Sequence, residues 1–501
     1  MARQAIAWVA GFLSFLGSAQ LSAQQTPAPV EQSQAKTQRS ASSARKLGPI
    51  EISVNWRARA EGWDWFRGSQ GTSNYALGHS LLRIAVGQTT DRFDWQLEAA
   101  QATLLGLPRN AVVPAPQGQL GLGGTYYAAN SNQSNDANAF VKQAFVRLKS
   151  HRRNLRIGRF EFFDGLEVQP KDTTLASLIQ TRISQRLIAN FGFSAVLRSF
   201  DGGQLSWNLG KSNLTFLAAR PTRGVFQVDG MGELDIDVYY GAFTLPVDSK
   251  HSAGELRVFG LGYIDHRTLV PKTDNRPALA RLADHDRIEI GSYGADYLHV
   301  FNTASHGKFD FLAWGAIQTG SWGSLAQRAG AFVGEFGWQP PVQRLEPWLS
   351  AGYSYGSGDG NPSDSRHGTF FQVLTTPRLY ARFPFYNMMN NEDFYGTLNV
   401  RPTSKLLLRS EAHALRLASA ADLWYLGGGA FQPHTFGYTG RPSGGGRSLA
   451  SVWDLSADCQ ISRSFSTTLY YAHAWGKSVI RNIYPNDRNG QLAYLETNFR
   501  F

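Results

Sequence analysis

Arg57, Arg59, Arg83, Arg147, Arg156 and Arg409 each stand in a stretch where polar and apolar residues alternate, and each falls on the polar side. A guanidinium keeps its charge and presents paired, coplanar donors, so a series of them suits a ligand that carries repeated carboxylates. Four more arginines join this candidate set. Arg159 follows Arg156 by three positions. Arg182 and Arg186 lie beside Leu175, Ile179, Ile183 and Leu187, which recur at helical spacing, and Arg382 lies in the run from Thr376 to Tyr386. Acids on the same kind of face, among them Asp94, Glu98 and Glu411, offer the arginines a second role. Pairing with them would stitch the polar face together and is expected to engage about half of the six strand-face arginines.

The elements that position these residues are strands. Ile52, Val54, Trp56, Ala58 and Ala60 alternate with Ser53, Asn55, Arg57, Arg59 and Glu61. The chain ends in the same way, with Ala493, Leu495, Thr497, Phe499 and Phe501 on one side and Leu492, Tyr494, Glu496, Asn498 and Arg500 on the other. Successive side chains of a strand point to opposite faces. About eighteen such segments, closing on an aromatic C-terminus, predict an all-β transmembrane antiparallel barrel with apolar residues toward lipid and polar ones toward a lumen. The connections sort by parity. Short ones near Thr89, Ser150, Gly210, Thr303, Pro402 and Ser462 alternate with a set that includes the long stretches 105–138, 164–200, 357–392 and 419–449. With both termini inside, the short turns are periplasmic and the long loops extracellular. In this solvent Arg156 and Arg159 cannot both face the lumen of a regular strand. An arginine in mid-bilayer costs about 2–4 kcal/mol, so Arg159 needs a bulge or a place at the rim.

Composition agrees. Aromatics make up 13% of the 501 residues and glycine accounts for 51 of them, yet mean hydropathy is only −0.29. The excess of 49 basic over 38 acidic residues is spread over polar strand faces rather than gathered in a patch or tail, which argues against a nucleic-acid partner and for an anion-attracting lumen. Arg3, the short apolar run from Ala5 to Leu16 and the small residues up to Ala23 predict a signal peptide over 1–23. Residues 24–48, rich in Gln, Ser, Ala and Pro, are expected to form a disordered periplasmic tail, leaving 49–501 for the barrel. The single cysteine, Cys459, falls on an apolar strand face and reads as a small lipid-facing residue.

Several motifs go beyond architecture. Leu155-Arg156-Ile157-Gly158-Arg159 leads into Asp164-Gly165; Gly352-Tyr353-Ser354-Tyr355-Gly356-Ser357-Gly358-Asp359-Gly360 precedes Arg382-Phe383; the chain ends Phe499-Arg500-Phe501. Together these resemble the alginate export family of Gram-negative outer-membrane proteins, from about Ile50 to Phe501. The resemblance implies an eighteen-stranded monomeric barrel in the bacterial outer membrane. It implies passive passage of an anionic uronate polymer through an arginine-lined lumen constricted by inward-folded loops, and a periplasmic export scaffold as a partner.

The remaining signals bear on loops. Segment 164–200, with Arg182 and Arg186, is either an amphipathic plug that presents arginines to the lumen or a helix packed against neighbouring outer loops. Asp359-Gly360-Asn361-Pro362-Ser363-Asp364 has the start of a calcium loop but Phe370 at its twelfth position, so a turn is expected and no metal site. Trp63, Trp65, Phe66, Tyr126, Tyr127, Tyr353 and Tyr355 are expected in interfacial girdles, with stacking of inward aromatics against sugar faces as the alternative. His79, His251, His266, His285 and His367 have no nucleophile motif beside them, so no enzyme is expected, and no cofactor. The sequence therefore predicts a channel for an anionic polysaccharide or oligosaccharide, alginate-like and outward-directed, with a general or uptake porin for small anionic solutes as the alternative.

Overall fold

A computed structural model describes residues 45–303, 305–376 and 382–501. The alternating segments form eighteen long strands. The first nine are β1 (Ile50–Asp64), β2 (Asn74–Thr89), β3 (Phe93–Leu105), β4 (Asp136–Lys149), β5 (Arg153–Phe160), β6 (Phe200–Leu209), β7 (Ser212–Pro221), β8 (Ile236–Pro246) and β9 (Ser252–Asp265). The second nine are β10 (Ile288–Thr303), β11 (Gly307–Trp322), β12 (Leu325–Gln339), β13 (Leu345–Gly356), β14 (Asn391–Thr403), β15 (Leu406–Arg416), β16 (Ser448–Gln460), β17 (Phe465–Gly476) and β18 (Asn489–Arg500). Each pairs antiparallel with its chain neighbours, and β18 pairs with β1 from Asn55↔Arg500 to Asp64↔Gln491, closing the sheet. Val54 and Phe501 extend that seam by exchanging backbone hydrogen bonds of 2.9 and 3.1 Å.

Alternation sorts the faces. Trp56, Ile84, Leu97, Ile157, Phe336 and Leu495 are exposed on the outside, while Arg57, Arg83, Glu98, Arg156, Glu335 and Glu496 are buried on the inside. Apolar residues thus meet lipid and the charged ones meet the interior, with no backbone edge left in the bilayer. No helix among the described residues is long and apolar enough to cross a membrane; the strands make the crossing.

Three expectations need correction. The predicted signal peptide and residues 24–44 of the predicted tail lie outside the described residues, but Arg45–Leu47 pairs with Ile50–Ile52, so the end of that tail is a strand. Arg159 shares the outward face of Ile157 at the outer end of β5, where Asp201 on β6 pairs with it at 2.6 Å; the rim accounts for it, and it does not line the lumen. Trp63, Trp65, Phe66 and Tyr126 are not in a girdle. They are buried inside the outer mouth, where Phe66 meets Phe383, Phe385, Trp424 and Tyr484 at 5.5–6.5 Å. Tyr127 packs against the same core. The outer loops fold over the mouth and need an apolar core of their own, which the alternation of a strand end does not announce. Tyr353 does lie on the outward face, 4.5 Å from Phe394. At the outer end of β2, Tyr75 and Leu77 also face inward into that core.

One glycine of the Leu155–Arg159 motif has a structural reason. Gly158 sits at φ +125°, and a Cβ there would lie 2.3 Å from the Ala144 carbonyl oxygen of β4. Only glycine meets both conditions.

Candidate functional site

Segment 161–199 turns into the barrel. Asp172 caps a short helix, Thr173–Leu178, by accepting from the Leu175 N–H at 2.9 Å, and the helix runs on as a π turn, Ile179–Ile183. Its apolar stripe, Leu175, Leu178, Ile179 and Ile183, is fully buried, as are the inward-facing Leu298, Val300 and Leu312 of β10 and β11. Each such side chain contributes roughly 1.5–3 kcal/mol by leaving water. The helix start reaches the inner end of the barrel: Lys308, next after the first residue of β11, donates to the Thr174 hydroxyl at 3.2 Å and lies 3.8 Å from Asp172. The plug therefore spans the depth of the lumen. Segment 357–390 locks onto it through Leu374, whose N–H donates to the Leu187 carbonyl and whose carbonyl accepts from the Ala189 N–H, both at 2.9 Å. Gln318 of β11 holds Phe371 of that segment by two hydrogen bonds, 2.7 and 2.8 Å. Of the two arrangements open in the sequence, the plug is the one observed.

The wall arginines hold this insert. Arg57 donates to the Gly192 carbonyl at 2.7 Å and to that of Ser194, and Arg59 donates to the Phe193 carbonyl at 3.0 Å while pairing with Glu496. Arg156 donates to the Glu161 carbonyl at 3.2 Å and to Gln204. Arg83 bridges Glu98 of the wall and Glu161 of the insert, at 2.6 and 2.8 Å. On the far arc the polarity reverses, with wall acids gripping insert arginines. Arg182 lies 3.3 Å from Glu335 on β12 and donates to Glu411 on β15 at 3.0 Å. Arg382 lies 3.7 Å from Asp458 on β16, and Arg186 stacks 5.4 Å from the Trp314 ring centre. Arg409 pairs with Glu411 on its own strand. Arg147 and Lys149 share Asp94 near the inner mouth. Among the six strand-face arginines, carboxylates engage Arg59, Arg83, Arg147 and Arg409, more than the half expected.

Two interior cations escaped the sequence reading. Lys142 donates to the Arg198 carbonyl at 2.6 Å, but it sits where the β3–β4 register shifts, so the alternation that would mark it as inward is broken there. Arg257 is fully buried between Asp296 at 2.6 Å and Glu167 at 3.5 Å. It lies in regular alternation two residues after Glu255, which was signal enough.

The outer segment 357–390 carries a pH-sensitive contact. His367 is buried, stacked 4.2 Å from Trp322, with Nδ1 2.6 Å from the Gln327 side-chain oxygen. Burial pushes its pKa down to about 3, with Asp274 opposing and Arg276 reinforcing the shift. The folded loop therefore requires neutral imidazole. Its stability is complete above the unfolded value of 6.5 and falls as pH drops from there toward about 3. Proteolytic protection of the outer loops should decline across that window, and His367→Gln should flatten the decline. The Asp359–Asp364 stretch is the turn expected, with Asn361 N–H donating to the Asp359 carboxylate at 3.1 Å.

A closed eighteen-stranded barrel with an apolar belt, a charged interior and loops packed into its lumen defines the class: an outer-membrane channel protein. The chain belongs to the alginate export family, whose sequence model matches residues 49–489. No curated protein matches it in sequence. Among solved structures it is similar to Acinetobacter baumannii OccAB2, with TM-score 0.56 at 10% identity, covering 91% of this chain and 99% of that one. It is similar also to Pseudomonas aeruginosa OccK9 (OpdG), with TM-score 0.56 at 10% identity over 90% and 98% of the two chains. Pseudomonas aeruginosa OprD gives TM-score 0.52 at 10% identity over 92% and 95%. At such identities the likeness is one of fold.

Proposed function

We propose that this channel passes an alginate-like polyuronate outward, and that the plugged lumen is its resting form. The observation that carries the reading is the bonding of Arg156. This buried wall guanidinium donates to neutral acceptors, the carbonyl of Glu161 and the side-chain amide of Gln204. A carboxylate offers such donors a full opposite charge and a bidentate geometry that a single carbonyl or amide oxygen does not. An incoming anionic chain can therefore displace the insert from the wall and occupy the same donors, one sugar after another. Family membership supports the same substrate class. In planar bilayers the channel should prefer anions, with the preference shrinking as salt screens the lumen. Replacing Arg57, Arg83 and Arg156 together by Glu should reduce or invert that preference, read as the reversal potential in a salt gradient. A cation-selective parent protein would contradict the proposal.

A further inference from the structure

A second anion-directed feature lies outside the lumen, in the crown of outer loops. A cavity of about 360 Å³ opens between the helix Leu122–Ala129 and the hairpin Leu423–Gly427/Tyr438–Pro442. Its size falls in the range of about 300–1,000 Å³ typical of small-ligand pockets. Trp65, Phe226, Phe431, Phe436 and Tyr438 supply flat apolar wall, and among the described residues no acidic side chain lines it.

Among the described residues Arg441 is the permanent charge that lines this cavity, and it is only 3% exposed. Its Nε donates to the Tyr484 hydroxyl at 2.9 Å, its Nη2 donates to the Gln119 carbonyl at 2.7 Å, and its guanidinium lies 5.8 Å from the Trp424 ring centre. All of these partners are neutral. Among the described residues no carboxylate pairs with it, whereas Arg59, Arg83, Arg182 and Arg257 in the lumen all have one. A buried cation without a counter-charge is costly to keep, and an anion arriving at the open side of the cavity would remove that cost. The walls are already held in place: Arg267 donates to the carbonyls of Gln432 and Thr435 at 2.9 and 2.8 Å, and Thr273 donates to that of Tyr438 at 2.9 Å.

We infer that this crown cavity is a binding site for a uronate sugar ring, with Arg441 as counter-ion to its carboxylate and the aromatic walls against its faces. The carboxylate follows from the charge and the lining. The choice of a sugar acid rests on the transport reading above. The site would hold a chain outside the lumen, independently of the wall arginines.

The test uses the full chain purified in detergent and titrates it calorimetrically with a mannuronate disaccharide, free mannuronate and neutral cellobiose. The disaccharide is expected to bind at least tenfold tighter than cellobiose. Arg441→Gln should weaken uronate binding at least tenfold while the barrel keeps its heat-modifiable gel mobility. Ala128→Trp adds bulk at an exposed cavity position, leaves Arg441 in place and should weaken binding likewise. Tighter binding of the disaccharide than of free mannuronate would assign the site to the polymer; equal binding would assign it to a free sugar acid. Equal binding of cellobiose, or unchanged uronate binding in both variants, would overturn the proposal. Polyuronate block of bilayer conductance, measured on the same preparations, reads the lumen separately. Lost block with intact crown binding would count against the transport reading alone.

Discussion

Removal of Phe499, Arg500 and Phe501 is expected to reduce assembled barrel roughly tenfold or more, measured as the heat-modifiable band in outer-membrane fractions. The three residues carry the inner end of the closing seam: Asn55↔Arg500, Trp56↔Phe499 and the paired hydrogen bonds between Val54 and Phe501. Phe499 also pairs with Phe465 on β17. Without them β1 and β17 both expose backbone groups at the membrane boundary, and each group left unpaired in lipid costs several kcal/mol. An open sheet edge has no stable place in a bilayer. Undiminished assembly would show that closure does not depend on this seam.

Excision of residues 170–188, bridged by a short glycine-serine linker, is expected to raise single-channel conductance several-fold. This segment contains the helix whose start contacts Lys308 and Gln339 at the inner end of the wall, so its loss opens the inner part of the lumen. The wall of an eighteen-stranded barrel alone leaves an aqueous channel. The same deletion removes Arg182 and Arg186, leaving Glu335 and part of the Glu411 charge without their counter-ions. Anion preference should fall as conductance rises. Unchanged conductance would mean that the segment lies over the rim in the membrane.

The barrel was legible because its physics is repetitive. Period-2 alternation marks every strand that has lipid on one side and a polar interior on the other, and all eighteen obey it closely enough to be placed. The register shift at Lys142 breaks the alternation that would have marked it as inward, and at Tyr75 and Leu77 the inward row faces an apolar core. The hairpin from Leu423 to Pro442 was missed because it packs among loops, with no solvent boundary to impose a period. Among the candidate arginines, strand parity identified Arg57, Arg59, Arg83, Arg156 and Arg409 as inward and flagged Arg159 as a problem, which its outward place at the rim explains. What alternation could not give was partners. The seating of Arg182 between Glu335 and Glu411, from strands far apart in the chain, depends on where a flexible connection folds. The lack of an acid beside Arg441 among the described residues is likewise a property of the assembled crown.

The central claim is that arginines in this lumen select a polyanion over an uncharged chain of the same girth. Block of single-channel current by size-matched polyuronate and dextran fragments tests it directly, in planar bilayers at about 0.1 M salt, where screening acts over about 10 Å. The uronate fragments should block at concentrations at least tenfold lower than dextran, with the difference narrowing toward 1 M salt. Equal block by neutral dextran would contradict the account and leave a general channel for small solutes.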